Sequence, residues 1–244
     1  DTELNELMMA SANRPQSRFA IKYEEEDKAG ILLTHLALMK GISTTLRLRA
    51  VANLSAGKPE LAFQDVSLMF RLIDSIESEP ILISKLVRFA CIQIAVGTIW
   101  EGLVDHRWQD AQLKQLQAKL ATYDFVKDGT HGFQGERLFG NSIIEYLYKE
   151  PKMLSMIFDL GGADNQPNLN FGKSPYYLIP SGWFHLEQLS YNKAFQEFVL
   201  APAPPDKHHL DIAKLKAAKV EMERQTANKD AFHLIRNHRV LIQL

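Results

Sequence analysis

Residues 105–108, Asp-His-Arg-Trp, set a carboxylate, an imidazole, a guanidinium and an indole side by side. His106 is the one among them of a residue type that can act as a general base near neutral pH. Such a base needs a positioned substrate and commonly an orienting carboxylate. The chain has no nucleophile elbow and no second matched group to complete the set. The quartet is therefore expected to form a capped turn with Trp108 packed beneath it, and no catalytic residue is assigned. His208, His209 and Asp211, with His233 and His238 further on, come nearest to a metal-ligating set. On a helix, neighbours diverge by about 100° and residues five apart by about 140°, so these side chains do not share one face. No His-Glu-x-x-His signature occurs either, so the histidines read as polar helix surface, with no metal and no cofactor expected.

Gly172-Lys173-Ser174 carries the closing residues of a phosphate-binding loop. Pro167 stands where that loop needs its first glycine, and no strand precedes it, so a loop turn is expected instead. Glycines 129, 132, 135 and 140 lack the spacing of a dinucleotide fingerprint and are expected to permit a helix start and close helix packing. The candidate ligand-binding set is Glu136, Arg137, Tyr176, Trp183 and His106. Glu136 and Arg137 are adjacent and point about 100° apart on a helix, so they are not automatically partners. A buried arginine requires carboxylate or carbonyl partners, and it serves either as a loop anchor or as a ligand contact. Phe171, Tyr176 and Tyr177 fall in a long non-helical stretch before Trp183. They form a binding locus if the chain folds back across Glu136 and Arg137; otherwise they staple a long crossover onto the helices.

Helices have to position these groups. Leu32, Leu36, Met39, Leu46 and Ala50 recur at helical intervals between Lys28 and Ala56, as one buried face demands. The acidic run at 24–27 falls at the start of that helix, where negative charge favours the helix dipole. Gly57 ends it and Pro59 opens the next, about Pro59 to Ser78, which offers Ala62, Val66, Met69, Ile73 and Ile76 to a core. Pro80 starts a third helix through the apolar run Ile81–Val104. Lys85, Arg88, Gln93 and Glu101 interrupt that run, leaving less than the roughly 20 clean residues a bilayer requires, so it is expected to be a buried central helix. Asp110 caps a helix to about Thr122, with Leu113, Leu116 and Leu120 on one face, and another spans about Gln134 to Lys149. A short apolar segment, Met153–Leu160, precedes the 161–180 loop, where glycine, asparagine and proline accumulate. Ser181 caps a helix to about Leu200, and Asp206 caps a last one through Leu210, Ala213, Leu215 and Val220.

Ala50, Gly57 and Ala62, followed by the apolar positions of a second helix, resemble one tetratricopeptide repeat over about 30 residues. That resemblance implies a close antiparallel helix pair, which neighbouring helices must complete. Leu-Arg-Leu-Arg-Ala at 46–50, Gly135-Glu136-Arg137 and Ile179-Pro180-Ser181-Gly182-Trp183 resemble an uncharacterised all-helical family of bacterial proteins. The family resemblance implies an N-terminal membrane anchor ahead of this chain and an exported, envelope-facing domain, and it implies no activity.

The fold class expected is all-α, an irregular array of antiparallel helix pairs, tetratricopeptide-like in its first half and interrupted by a long aromatic loop. Its parts are a helical core over 1–160, the loop over 161–180 and C-terminal helices over 181–244 that pack on the same core as one domain. At 244 residues and 46% hydrophobic, the chain can bury a core without staples. Cys91, the single cysteine, rules out an intrachain disulfide. With 28 basic against 29 acidic residues there is no field to attract nucleic acid, and no nucleic-acid partner is expected. The apolar ending and the missing initiator methionine read as a piece of a longer product. A protein or peptide partner, held by a scaffold domain, is the expected function. The alternative is a small-molecule binder or helical hydrolase near Arg137, His106 and the 161–183 segment, and cytoplasmic residence is the alternative to export.

Overall fold

The computed structural model describes residues 2–13, 17–24, 31–150, 180–203 and 209–227. As the periodicity predicts, the described residues form helices and no strand. They are α1 (Thr2–Asn13), α2 (Thr34–Ser55), α3 (Pro59–Ser75), α4 (Leu82–Val104), α5 (Asp110–Leu120), α6 (Phe125–Lys149), α7 (Ser181–Ala194) and α8 (Ile212–Thr226). A π-helical turn, Phe195–Leu200, follows α7. The chain divides into two compact units: the first contains Leu32–Gly132 with the described residues up to Lys22, and the second is built mainly from Phe133 onward. The 161–179 segment, with Phe171, Gly172 and Tyr176, lies outside the described residues, as do Met153–Leu160, Asp206, His208, His233 and His238.

In the first unit α2, α3 and α4 pack on one another. Leu36, Met39, Leu46 and Ala50 of α2 are buried, and so are Ala62, Val66, Met69, Ile73 and Ile76, all fully enclosed. Leu32 departs from the expected stripe: α2 begins only at Thr34, and Leu32 stands ahead of it in solvent. The α2–α3 reversal is closed by Gly57, whose φ is +71°, in the left-handed region that glycine adopts without strain. Gly57 N–H donates to Leu54 O at 3.0 Å and Lys58 N–H to Asn53 O at 2.8 Å, the paired bonds of a Schellman turn.

Charges stitch this packing. Asp65 of α3 is buried and accepts from the Arg49 guanidinium, at 2.9 Å from Nε, and from Asn53 Nδ2 at 3.2 Å. The two arginines of the Leu-Arg-Leu-Arg-Ala run therefore serve different neighbours, since Arg47 reaches Glu101 of α4 at 3.8 Å. Lys85 and Arg88 sit on the inner face of α4 and are almost wholly buried. Lys85 Nζ donates to Glu77 O. Arg88 donates from Nε to Ile73 O at 3.2 Å, ion-pairs with Asp128 at the start of α6, and lies 5.1 Å from the Tyr123 ring centre.

Two expected boundaries are corrected. The fifth helix begins at Asp110 itself, and Gln109 caps it, with its N–H donating to Gln112 Oε1 at 3.0 Å. The sixth begins at Phe125, well before Gln134, because glycines 129 and 132 lie inside it. Gly132 is where α6 crosses α4: a Cβ there would come within 2.9 Å of Lys85 Cγ and 3.4 Å of Leu82 Cα. The helical cost of a glycine, about 1 kcal/mol, is offset by that approach.

In the second unit, α7 runs antiparallel to the later part of α6. Asn141 and Asn192 exchange amide bonds at 2.6 and 3.1 Å, and Tyr148 packs on Phe184 with centroids 5.5 Å apart. The π turn packs against α7 and α8. The last helix starts at Ile212, after Leu210, and Asp211 caps it by accepting from Lys214 N at 3.0 Å.

The buried ion pair generates a test. Asp128→Asn leaves the Arg88 cation enclosed without its anion and is expected to destabilise the first unit by about 3–5 kcal/mol. Arg88→Met with Asp128→Leu removes both charges and should recover most of that loss in urea unfolding. Equal losses in the single and double variants would show that the pair is not what the site depends on.

Candidate functional site

The first unit contains a cleft of about 1280 Å³. Leu7 of α1 and Arg18 and Phe19 of the following segment form one side. The end of α3 contributes Arg71, Leu72 and Asp74, and the connection to α4 contributes Glu77. The first turns of α6 close the cleft with Lys127, Asp128 and His131, three positions that a helix places within about one turn of each other.

The apolar wall is fixed by packing. Phe19 stacks on the His35 ring at 4.3 Å and, with Leu72, packs on the small core of Leu36, Met39 and Ile76. His35 is in turn held by Glu79 at 3.0 Å, whose other oxygen accepts from Ser84 Oγ at 2.5 Å. The polar wall is fixed by charge. Asp74 accepts from Lys119 Nζ at 2.6 Å and from Tyr123 Oη at 3.2 Å. Asp128 pairs with Arg88, and the Glu77 carboxylate lies 3.8 Å from the same guanidinium. All three cleft carboxylates thus meet a cation from behind the wall.

The local field shows in the titrating groups. Burial, followed by the charge of Arg88, brings the Lys85 ammonium down from its ordinary 10.5 to about 8. Burial, then the charges of Lys85 and Lys127, lowers the His131 imidazole from its ordinary value. Burial and the neighbouring Asp74 carboxylate push the Tyr123 phenol far up, so it stays a neutral hydrogen-bond donor. Burial likewise raises the Cys91 thiol. Burial is the largest cause in each case, and the arrangement holds charges of both signs in fixed places.

The residues singled out by sequence are spread through the chain. His106 belongs to the first unit and is exposed, while Glu136, Arg137 and Trp183 belong to the second. Along the α6–α7 pair, Arg137 Nη1 faces Gln196 at 3.3 Å and Tyr191 Oη donates to Glu136 O at 3.3 Å. Trp183, next to Phe184, which packs on Tyr148, is at the other end. Arg137 and Tyr148 are eleven positions apart on α6, roughly 16 Å along the axis. The pair therefore does not bring Arg137 and Trp183 together, and Tyr176 lies outside the described residues. His106 occupies the left-handed position, φ 50°, of a second Schellman turn: His106 N–H donates to Leu103 O at 3.1 Å and Arg107 N–H to Gly102 O at 2.9 Å. Trp108 is buried beneath it with Nε1 donating to Ile99 O at 2.9 Å. This is the capped turn that the sequence favoured over a base.

Sequence reasoning missed the cleft. Its one visible signal was a pair of cations, Lys85 and Arg88, three apart in an apolar run, since enclosed charges require partners. Nothing local identified those partners, because Asp128 is 40 positions away from Arg88. Among the described residues no group of three histidines, cysteines or carboxylates is arranged to hold a metal ion.

Fold and cleft together define an all-helical protein with a charged cleft in its first unit. Comparison with protein-family models, with curated proteins and with solved structures finds no match in any of the three.

Two measurements follow. The Lys85 value lies below that of an unfolded lysine, so above pH 8 the folded state releases this proton first and the unfolded state binds more protons. The Lys85 contribution to stability should rise by roughly 2 kcal/mol from pH 8 to pH 10. It is read as the difference between wild type and Lys85→Met, because Cys91 and the tyrosines act in the opposite direction in both proteins. A difference that is flat or falls with pH would contradict a buried ammonium. His106→Gly should raise stability by about 1 kcal/mol by relieving the left-handed strain, whereas an essential imidazole would tie the substitution to lost function.

Proposed function

We propose that this chain is a protein-interaction domain that holds an amphipathic helix of a partner protein on the outer face of α4. The observation that carries this reading is a second apolar stripe on that helix. The inner face of α4 buries Ser84, Arg88, Cys91, Ala95 and Ile99. Ile83, Leu86, Ala90, Gly97, Trp100 and Val104 recur on the opposite face at spacings of three, four or seven, with Gln93 at the intervening step. Trp100 is 64% exposed, Val104 58% and Leu86 52%.

Alternating spacings of three and four are those at which one helix receives the side chains of another, and large apolar anchors supply most of the energy of such contacts. From Ile83 to Val104 the stripe is about 32 Å long, enough for a partner helix of some six turns. By length and composition α4 could also cross a membrane. Its contacts with α2 and α3 and its two enclosed cations favour a packed helix with one face left for a partner. The resemblance of α2–α3 to a tetratricopeptide repeat supports the same reading, because stacked helix pairs of that kind present helix faces to peptides. The setting we propose is the bacterial envelope, with the domain exported and anchored ahead of residue 1.

A photo-crosslinking amino acid at Trp100, in cells producing the anchored protein, should form an adduct with a second, different protein, and Leu86→Glu should abolish it. An adduct between two copies of this chain alone would replace the reading with self-association. No adduct, with the fold intact by circular dichroism, would remove it.

A further inference from the structure

The outer face of α4 is shaped as well as apolar. Residues at positions i, i+3, i+4 and i+7 of one helix frame the hole that receives a side chain of a facing helix. Leu86, Phe89, Ala90 and Gln93 form one such set, and Gln93, Val96, Gly97 and Trp100 form the next, seven residues on. In both sets the i+4 position is the small one, Ala90 and then Gly97. Resting on the reading that a partner helix covers this face, we propose that Ala90 and Gly97 are the floors of two sockets one heptad apart. The partner is then a helix whose seam carries two large, uncharged apolar side chains seven residues apart to fill them.

The floor at Gly97 is open. Apart from its chain neighbours and its own helix backbone, nothing lies within 4 Å of where a Cβ would stand. Glycine weakens a helix relative to alanine. Elsewhere that cost goes with packing inside the chain: at Gly102 a Cβ would run into the Trp108 indole, and at Gly132 into the Lys85 side chain. Gly97 meets no such neighbour, and its missing side chain leaves space on the outward face between Val96 and Trp100, both exposed. The first socket has a wall set in advance, because Phe89 meets the Phe125 ring of α6 edge-on at 5.4 Å. A socket with placed walls costs a partner less ordering on binding.

The chemistry of the occupant follows from the frame. None of the seven framing residues is charged, so a charged side chain seated there would lose water without gaining a counterion. Gln93, shared by the two sockets, offers one hydrogen-bonding group between the two anchors. A second copy of α4 does not fit. Laid antiparallel about Gln93, it sets Trp100 against Leu86, which keeps the axes apart, and Ala90 against Gly97, which leaves the sockets unfilled. A lipid surface has no use for a seven-residue spacing.

The experiment places a photo-crosslinking amino acid at Val104, exposed on the stripe but outside both sockets, in cells producing the anchored protein. Gly97→Leu and Ala90→Leu should each lower the yield of the adduct with the partner protein tenfold or more, and Gly97→Ala should lower it less. The thermal midpoint of purified Gly97→Leu should stay at or above that of wild type, since the position is open. Gly41→Leu, at an equally open position of α2 beside Lys40, Thr44 and Thr45, should leave the yield unchanged. Undiminished yield in Gly97→Leu, with Leu86→Glu still abolishing the adduct, would overturn the sockets and leave the partner-helix reading standing. So would an equal loss in Gly41→Leu, or a fall in the Gly97→Leu midpoint, which would mean that the fold itself closes the floor. No adduct from the parent protein, or one between two copies of this chain alone, would end both.

Discussion

The enclosed guanidinium of Arg88 is the constraint around which the first unit is arranged. A cation with 2% of its surface exposed persists only where partners surround it. Here they come from three places in the chain: the Ile73 carbonyl at the end of α3, the Tyr123 ring before α6, and the Asp128 carboxylate in its first turns. Each of those segments also forms part of the cleft or of the wall behind it. The same contacts that satisfy Arg88 therefore fix where Asp74, Glu77, Lys127 and His131 stand. The cleft inherits its rigidity from a desolvation problem solved one layer deeper.

That arrangement explains which parts of the fold were legible. Spacings of three and four located the central buried stripe of α2 and α3, because a stripe facing one core depends only on helical period, while Ser43, Leu54, Asp65, Leu68 and Phe70, also buried, were not named by it. The Gly57 turn was legible for the same reason, since a left-handed residue after a helix is a local requirement. Leu32 failed because periodicity says which face is apolar and not where the first turn begins. The start of α6 failed because glycines 129 and 132 were read as permitting a helix start near Gln134, whereas they lie inside the helix, with Gly132 at the close approach to Lys85 and Leu82. The pairings of Arg88 with Asp128 and of Arg49 with Asp65 are tertiary, and in sequence each charge reads as an isolated polar residue.

The candidate site was less legible than the fold. Adjacency drew attention to Asp105-His106-Arg107-Trp108 and to Glu136-Arg137, yet adjacent residues on a helix diverge and convergence is a property of packing. His106 shows how a titratable residue can have a backbone role: it occupies the position that Gly57 occupies in the earlier turn, with the same pair of hydrogen bonds. The groups that do converge come from α1, α3 and α6, separated by tens of residues. Composition gave no hint of them, because a net charge of −1 over the chain does not tell where Arg18, Arg71 and Lys127 meet Asp74, Glu77 and Asp128 around one cleft.

α4 brings these arguments together. A helix that is apolar on most of its circumference is ordinarily enclosed on every side or inserted in lipid. α4 is neither uniformly enclosed nor uniformly apolar: one face carries Lys85 and Arg88 inward, and the other carries Trp100 and Val104 outward. Placing cations on the inner face commits α4 to its neighbours, because Arg88 finds Ile73 and Asp128 only there. Rotating the helix to bury Trp100 would expose the apolar stripe now packed on α2 and α3 and strip both cations of their partners. The inner charges thus act as a register pin, and they leave the outer stripe facing away from the core that its composition would otherwise enter. An apolar face held outward by such a pin is available for a partner without competing with the fold.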